Sequence, residues 1–190
     1  MKMQVYRFSF TAASLMVSEL VVLAKLLISV DFDYDQISQN EIKRDREATR
    51  KREFSELVLR LKTLSNEEIK ILAESSLENQ KLISFLACVR LYRIIREFVE
   101  EVILEKILLF DNLLSNRDIS AFMYNKSLEY KEIEKLTEGT QKKVQQVIFK
   151  ILEQAGIIDS VRTKKIQIPF LDFNLQNILL EQDKKYLLNL

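Results

Sequence analysis

Apolar residues recur along this chain at intervals of three and four, the spacing of one face of an α-helix, over nearly its whole length. The first strong signal is the run Ala12–Ile28, interrupted only by Ser14, Ser18, Glu19 and Lys25. About 20 apolar residues span a bilayer, yet a charge near its centre costs about 2.5–3.5 kcal/mol. Glu19 and Lys25 lie six apart, too far around a helix to neutralise each other, and no small-residue cleavage site of signal-peptide type is present. The run therefore predicts a central helix buried by other helices, not a membrane anchor. A charged helix is expected over about Gln39–Leu64, its second half facing a core through Leu57, Leu61 and Leu64. Ser65 followed by Glu68 is a capping box, in which each side chain bonds the other's free backbone N–H, and it opens a helix through Ile69, Leu72 and Ala73.

From Glu78 to about Phe110 the pattern predicts one long helix, straight or kinked, with Arg93–Glu97 and Arg96–Glu100 as four-residue pairs on a solvated face. Asn112–Asn116 is a polar break that divides the chain into residues 1–112, a helical bundle, and 113–190. Short helices are expected at Asp118–Tyr124 and Tyr130–Leu136. Next comes a helix opened by Thr140 as N-cap and closed by Gly156 in the left-handed conformation, with Val144, Val147, Ile148, Ile151, Leu152 and Ala155 as its apolar stripe. Ile157–Val161 and Ile166–Pro169 flank the polar turn Arg162-Thr163-Lys164-Lys165, which predicts a small β-hairpin. An amphipathic helix with Leu175, Ile178, Leu179, Tyr186 and Leu187 closes the chain.

Composition agrees with a mainly α protein and removes most chemistries. With 2 Gly and 1 Pro in 190 residues, the turns of a sandwich or barrel are not available. There is no His, which removes His-based triads, the H-E-x-x-H zinc site and imidazole acid–base work. The single Cys88 sits among Leu86, Ala87 and Val89 and reads as a packing residue, since one cysteine can form neither a disulfide framework nor a Cys-rich zinc site within the chain. Two glycines cannot write a Walker A loop or a dinucleotide fingerprint. Carboxylate motifs fare no better. Asp31–Asp35 lacks the Gly and the final Glu of a calcium loop. Asp33 with Glu41-Ile42-Lys43, and Glu67-Glu68-Ile69-Lys70, imitate a nuclease metal site but fall in helical patterns rather than on adjacent strands. No catalytic residue, cofactor, metal or small-molecule substrate is expected.

With a net charge of +1, a surface for an anionic partner must be local. Between Thr140 and Ile168 the chain carries Lys142, Lys143, Lys150, Arg162, Lys164 and Lys165 against only Glu153 and Asp159. Short helices, a capped helix and a basic hairpin follow one another in the order of a winged helix-turn-helix. A helix about 10–12 Å across fits a major groove about 12 Å wide. The N-terminal amides with Thr140, Lys142 and Lys143 suit phosphate, Gln146 matches the paired edge of adenine, and Lys150 extends the same face. Arg162, Lys164 and Lys165 would reach a neighbouring phosphate or the minor groove. A plain solvated Lys/Gln face with a structural hairpin accounts for the same residues. A second basic group, Lys43, Arg44, Arg46, Arg50, Lys51, Arg52, Arg60 and Lys62, is interleaved with Asp45, Glu47, Glu53 and Glu56, an ordinary surface-helix pattern as well as a phosphate-binding one.

Ser14-Leu15-Met16 with Glu19, then Asn40 with Ala48-Thr49-Arg50-Lys51-Arg52, Arg60-Leu61 and Leu64, and lastly Thr137-Glu138-Gly139-Thr140-Gln141-Lys142-Lys143 leading to Ala155-Gly156-Ile157-Ile158, together resemble the BrxA family, the small component of prokaryotic BREX (bacteriophage exclusion) defence systems. The resemblance runs from about Phe8 to Leu188 and rests on the order and spacing of short motifs. It implies a cytoplasmic, mostly helical, non-catalytic protein that binds double-stranded DNA and works with other BREX defence proteins. It also implies a bundle similar in part to the NusB antitermination fold, followed by a winged-helix-like unit. Some members have been labelled inner-membrane proteins, which the first apolar run invites. By the same resemblance Arg50, Arg52, Lys142 and Lys143 are phosphate contacts. Two alternatives stay open, a protein-interaction subunit without DNA contact and an RNA-binding antitermination-like factor.

Overall fold

The computed structural model describes residues 5–188. Its first helix, α1 (Val17–Ser29), turns Leu20, Leu23, Ala24 and Leu27 inward against α3 and α4. The apolar run enters helix later than its pattern predicts. Ser9–Ala12 form a 3-10 turn and Met16 is left-handed (φ 54°), so Phe10 and Leu15 reach the core from an irregular approach. The two charges in the run have simple outlets: Lys25 is exposed, and Glu19 is bound by Arg44 at 2.7 Å. No helix among the described residues is long and apolar enough to cross a membrane.

Helix α2 (Glu47–Leu61) is shorter than the expected Gln39–Leu64. Buried Ile37 and Ile42 pin the acidic connector to the core through two 3-10 turns, and the chain becomes helical only after Arg46. The capping box at the start of α3 (Asn66–Glu74) forms as expected: Glu68 N–H donates to Ser65 Oγ at 3.2 Å and Ser65 N–H to Glu68 Oε2 at 2.7 Å. The most enclosed element is α4 (Leu77–Leu91), in which every residue from Leu82 to Val89, Cys88 included, is buried. A helix apolar on all sides belongs in the middle of a bundle, so α4, more than α1, is the central helix.

The expected single helix to Phe110 is broken. Tyr92 is extended (φ −106°, ψ 101°) and separates α4 from α5 (Arg93–Phe98), which passes through a π-turn (Val99–Ile103) into α6 (Leu104–Leu108). Tyr92 sits in a buried polar knot. Its hydroxyl donates to Glu56 Oε1 (2.5 Å) and accepts from Arg60 Nε (3.0 Å), while Arg60 Nη1 donates to the Leu15 carbonyl (3.0 Å) and Ser9 Oγ to Glu56 (2.8 Å). Helix α6 ends with Phe110 in the left-handed region (φ 59°), with Asp111 N–H on the Lys106 carbonyl (2.9 Å) and Phe110 N–H on that of Ile107 (3.0 Å). Glycine normally takes this position, and a bulky side chain there costs about 1–2 kcal/mol.

Helix α7 (Asn116–Glu129) opens with a second capping box, Ser115 and Asp118, and is followed by α8 (Lys131–Glu134) and α9 (Glu138–Ala155). Gly156 closes α9 with φ 78°, as expected. The expected hairpin is not present as strands: among the described residues Ile158 and Ile166 form one isolated antiparallel bridge, and Leu113 and Lys165 another. The pairing stops because the intervening turn folds on its own carboxylate, Asp159, and because Lys164 takes a left-handed φ of 58°. The last segment is two short helices, α10 (Phe173–Ile178) and α11 (Glu181–Lys184), then a 3-10 turn, instead of one amphipathic helix. It is held to the bundle by Asn79–Asp172 (2.6 Å), Arg90–Asp183 (2.7 Å) and Lys185–Glu100 (2.8 Å). Apolar residues before and after residue 112 join in one contiguous core.

The face of α5 expected to be solvated is largely covered. Arg93 and Glu97 pair at 2.6 Å with side chains only 11% and 12% exposed. The Arg93 guanidinium lies between the rings of Tyr6 and Tyr130, 4.4 and 4.5 Å from their centroids. Glu97 also accepts from Tyr6 (2.5 Å) and Lys126 (3.0 Å). Burial alone would raise the Glu97 carboxyl, but the donors Tyr6, Arg93 and Lys126 together hold it below its ordinary value. A depressed carboxyl contributes stability above its unfolded pKa, and that contribution is lost as pH falls through the folded value. Thermal melts between pH 7 and pH 3 should therefore show a steep acid loss in the wild type and a shallower one in Glu97→Gln. Parallel curves would rule out Glu97 as a source of the acid sensitivity.

Candidate nucleic-acid interface

Thr137, not Thr140, caps α9: its Oγ1 accepts the Thr140 N–H at 3.2 Å. The helix gains a turn over its expected start because Thr137 supplies the acceptor and Glu138 suits the positive end of the helix dipole. Thr140 is thus inside the first turn, its hydroxyl sharing a 2.8 Å hydrogen bond with that of Thr137. The inward face is the expected one, with Phe149 added to it. The outward face carries Lys142, Lys143, Gln146 and Lys150, all exposed. Lys142 touches Glu138 at 2.5 Å, but both side chains are mostly in water (67% and 82% exposed). Water screens such a pair and it adds little stability, so Lys142 can exchange it for another anion at little cost.

The basic turn is built onto the end of this helix. Glu153 Oε1 accepts the Val161 N–H at 2.9 Å, tying the turn to the last turn of α9. Asp159 accepts from Ser160 N–H (2.6 Å), Lys165 N–H (2.9 Å) and the Thr163 hydroxyl (2.7 Å). Thr163 first, and then these backbone donors, hold its carboxyl below the usual range. Both carboxylates of the segment are therefore engaged in shaping it. Arg162 and Lys165 are exposed and form no ion pair among the described residues. Lys164 differs from expectation: it folds back, half-buried, with its ammonium 5.2 Å over the Phe149 ring.

The second basic group is divided. Lys43, Arg46, Lys51 and Arg52 are exposed. Arg44 bridges Glu19 (2.7 Å) and Glu53 (2.6 Å), stapling the connector to α1 and α2 rather than offering its charge outward. Arg50 is half-buried. Arg60, grouped with these cations by sequence, is fully buried in the knot with Tyr92, and the Lys62 ammonium lies 5.1 Å over the Tyr34 ring. Helices α2 and α9 both pack on the Ser9–Ala12 turn and its flanks, through Ser9 to Glu56 and through Leu15 N–H to Gln154 Oε1 at 3.0 Å.

Among the described residues no group of three or more His, Cys, Asp or Glu side chains converges to hold a metal. Asp33 caps its own turn, and Glu68 is committed to Ser65 and to a bidentate pair with Arg90 (2.6 and 2.7 Å). A cleft of about 1040 Å³ runs between α3, α5 and the C-terminal segment. Across it Arg90 meets Glu68 and Asp183, and Lys185 meets Glu100.

A family model described as BrxA matches residues 4–183. The chain belongs to the BrxA family. A BREX protein BrxA from Bacillus cereus (strain H3081.97) is 25% identical over 179 residues, covering 92% of this chain and 90% of that protein. The fold is similar to that of an uncharacterized protein from Magnetospirillum magneticum, known from a crystal structure, with a TM-score of 0.80 and 18% identity over 97% of this chain and 96% of that one. In this BrxA-family chain, sequence alone missed the Glu153 tie that fixes the basic turn on α9. The signal available was a carboxylate in the last turn of a helix otherwise faced with Lys and Gln.

Proposed function

We propose that this chain binds double-stranded DNA, without making or breaking bonds in it, as a cytoplasmic component of a BREX phage-defence system. Membership of the BrxA family, and a relative named as a BREX protein, support the system. One observation supports the DNA contact: Lys142, Lys143, Gln146 and Lys150 on the outer face of α9 continue into Arg162 and Lys165, while the carboxylates between them, Glu153 and Asp159, accept hydrogen bonds from the turn's own backbone rather than pairing with these cations. The order α7, α8, α9 and basic turn supports reading this part as a winged-helix-like unit. The segments 112–114, 164–167 and 157–159 lie side by side in the order such a fold gives its small sheet, reduced here to single bridges. Helix α9 would enter the major groove with Gln146 toward base edges and its lysines toward phosphates. Arg162 and Lys165 would hold the flanking backbone, and Lys43, Arg46, Arg50, Lys51 and Arg52 a further stretch of it. The bundle ahead of this unit is, by the same resemblance, NusB-like.

Phosphate neutralisation predicts a salt law. On a duplex of about one helical turn, the five cations of α9 and its basic turn give log K a slope against log salt of about −4.5, so raising KCl fourfold should weaken binding on the order of 10²–10³-fold. Fluorescence anisotropy on a labelled duplex measures this, and salt-independent binding would remove the electrostatic mechanism. A second reading, docking of another BREX protein, is favoured by Phe170 and Phe173, which are 84% and 76% exposed. It predicts co-purification with that partner and no mobility shift of DNA.

A further inference from the structure

Phe110 occupies a turn position that glycine fills best, and its side chain is 96% exposed. Leu108, Leu109 and Leu113 beside it are 67%, 70% and 54% exposed. The fold makes no use of these side chains, although it bears the strain of the Phe110 backbone. Their place is fixed by the bridge between Leu113 and Lys165. Hydrogen bonds flank that pair, from Ile166 N–H to the Asn112 carbonyl (2.7 Å) and from Leu114 N–H to that of Lys164 (3.0 Å). In an antiparallel pair of this kind the two side chains leave the same face at close range. Leu113 and Lys165 thus stand side by side and exposed, whereas Ile166 turns to the core. Phe110 precedes Leu113 by three residues, within about 10 Å along the chain. The carboxylate of the lip, Asp111, is bound by Lys106 at 2.6 Å, a lysine that Asp118 shares at 3.5 Å, and the exposed Lys165 beside Leu113 makes no ion pair among the described residues.

We propose that the lip Phe110–Leu113 is a wedge that enters a base step and unstacks it where the protein sits on a duplex. This rests on DNA being the ligand of α9 and its basic turn. Apolar side chains flanked by cations match a base step flanked by phosphates: inserted Phe and Leu part the stack, and the cations hold the bent backbone against the protein. Charge complementarity selects this occupant, because a protein docked on the lip would have to bring acidic groups against Arg162 and Lys165.

The test uses the full chain and a duplex carrying 2-aminopurine. Anisotropy measures binding, base fluorescence measures unstacking, and each variant is compared at concentrations that saturate anisotropy. Wild type should raise the fluorescence severalfold and prefer a mismatched duplex over a paired one by about tenfold, since a mismatch lowers the cost of unstacking. Phe110→Gly should melt at or above the wild-type temperature, because it relieves the left-handed turn, yet lose the fluorescence rise. Phe110→Leu should keep the rise. Wild type bound to DNA without any rise, or Phe110→Gly retaining it, overturns the wedge. So does a Phe110→Gly variant that keeps both DNA signals and loses capture of another BREX protein. No anisotropy change with wild type would defeat the DNA reading itself, a separate result that takes the wedge with it.

Discussion

Arg60→Leu should cost this protein about 3–5 kcal/mol of stability, the usual result of removing one partner from a buried charged cluster. That is a large share of the about 5–15 kcal/mol that holds a typical domain folded. Arg60 is completely buried, and it joins α2 to the Leu15 carbonyl and to Tyr92, whose hydroxyl passes the connection on to Glu56. Removing the guanidinium leaves the Leu15 carbonyl and the Glu56 carboxylate short of compensation in a region closed to solvent. Tyr92→Phe should cost less, about 1–3 kcal/mol, by leaving the Arg60 Nε–H without its acceptor and Glu56 Oε1 with one donor fewer, the Ser9 hydroxyl remaining. Because the damage lies in the group left behind, the double variant Arg60→Leu/Glu56→Leu should be markedly more stable than the sum of its single changes predicts. Urea unfolding of the two single variants and the double one measures that coupling. Strictly additive losses, or single losses below about 1 kcal/mol, would show that the cluster is not an electrostatic unit.

The same knot shows where sequence reasoning stopped. Periodicity located nearly every helix, because an apolar stripe at Val144, Val147, Ile148 and Ile151 has one way to be buried. Local chemistry was equally legible: Ser65 with Glu68 and Gly156 act through contacts within four residues and were readable from spacing alone. What sequence did not convey depends on partners far along the chain. Arg60 looked like one more cation of a surface helix because Tyr92, 32 positions away, carries no mark of being its acceptor. The break at Tyr92 was hidden for the same reason, since the apolar spacing continues through it. Arg44 and Lys164 were counted as candidate contacts by charge, yet one is held by Glu19 and Glu53 and the other lies on the Phe149 ring. The hairpin was overestimated because β-branched residues on either side of a turn specify extended backbone but not how far pairing continues. At the basic turn Arg162 and Lys165 stay outward while the segment's two carboxylates, Glu153 and Asp159, take backbone donors, a condition that composition does not express.

The triple variant Lys142→Glu/Lys143→Glu/Lys150→Glu should lose DNA binding by more than about 100-fold while remaining folded, and its salt slope should flatten by about three. Folding is spared because all three side chains are exposed on the face of α9 opposite its buried stripe, and Glu is nearly as good a helix former as Lys. Among the described residues the ion pair lost is the exposed Lys142–Glu138 pair, replaced by a like-charge pair that water screens. Binding suffers more than three deletions would cause, since each carboxylate repels the phosphate its predecessor attracted. The matching change on α2, Arg46→Glu/Lys51→Glu/Arg52→Glu, alters the same number of exposed charges on the other basic element. If α9 is inserted in the groove and α2 grips only flanking backbone, the α2 triple should weaken long duplexes and leave short ones, of about one helical turn, nearly untouched, whereas the α9 triple should weaken both. Circular dichroism and melting temperature confirm that each variant is folded, and anisotropy on the two duplex lengths separates the contributions. Near wild-type affinity in a well-folded α9 variant would remove this helix from the interface, and with it the groove-binding geometry on which the whole DNA assignment depends.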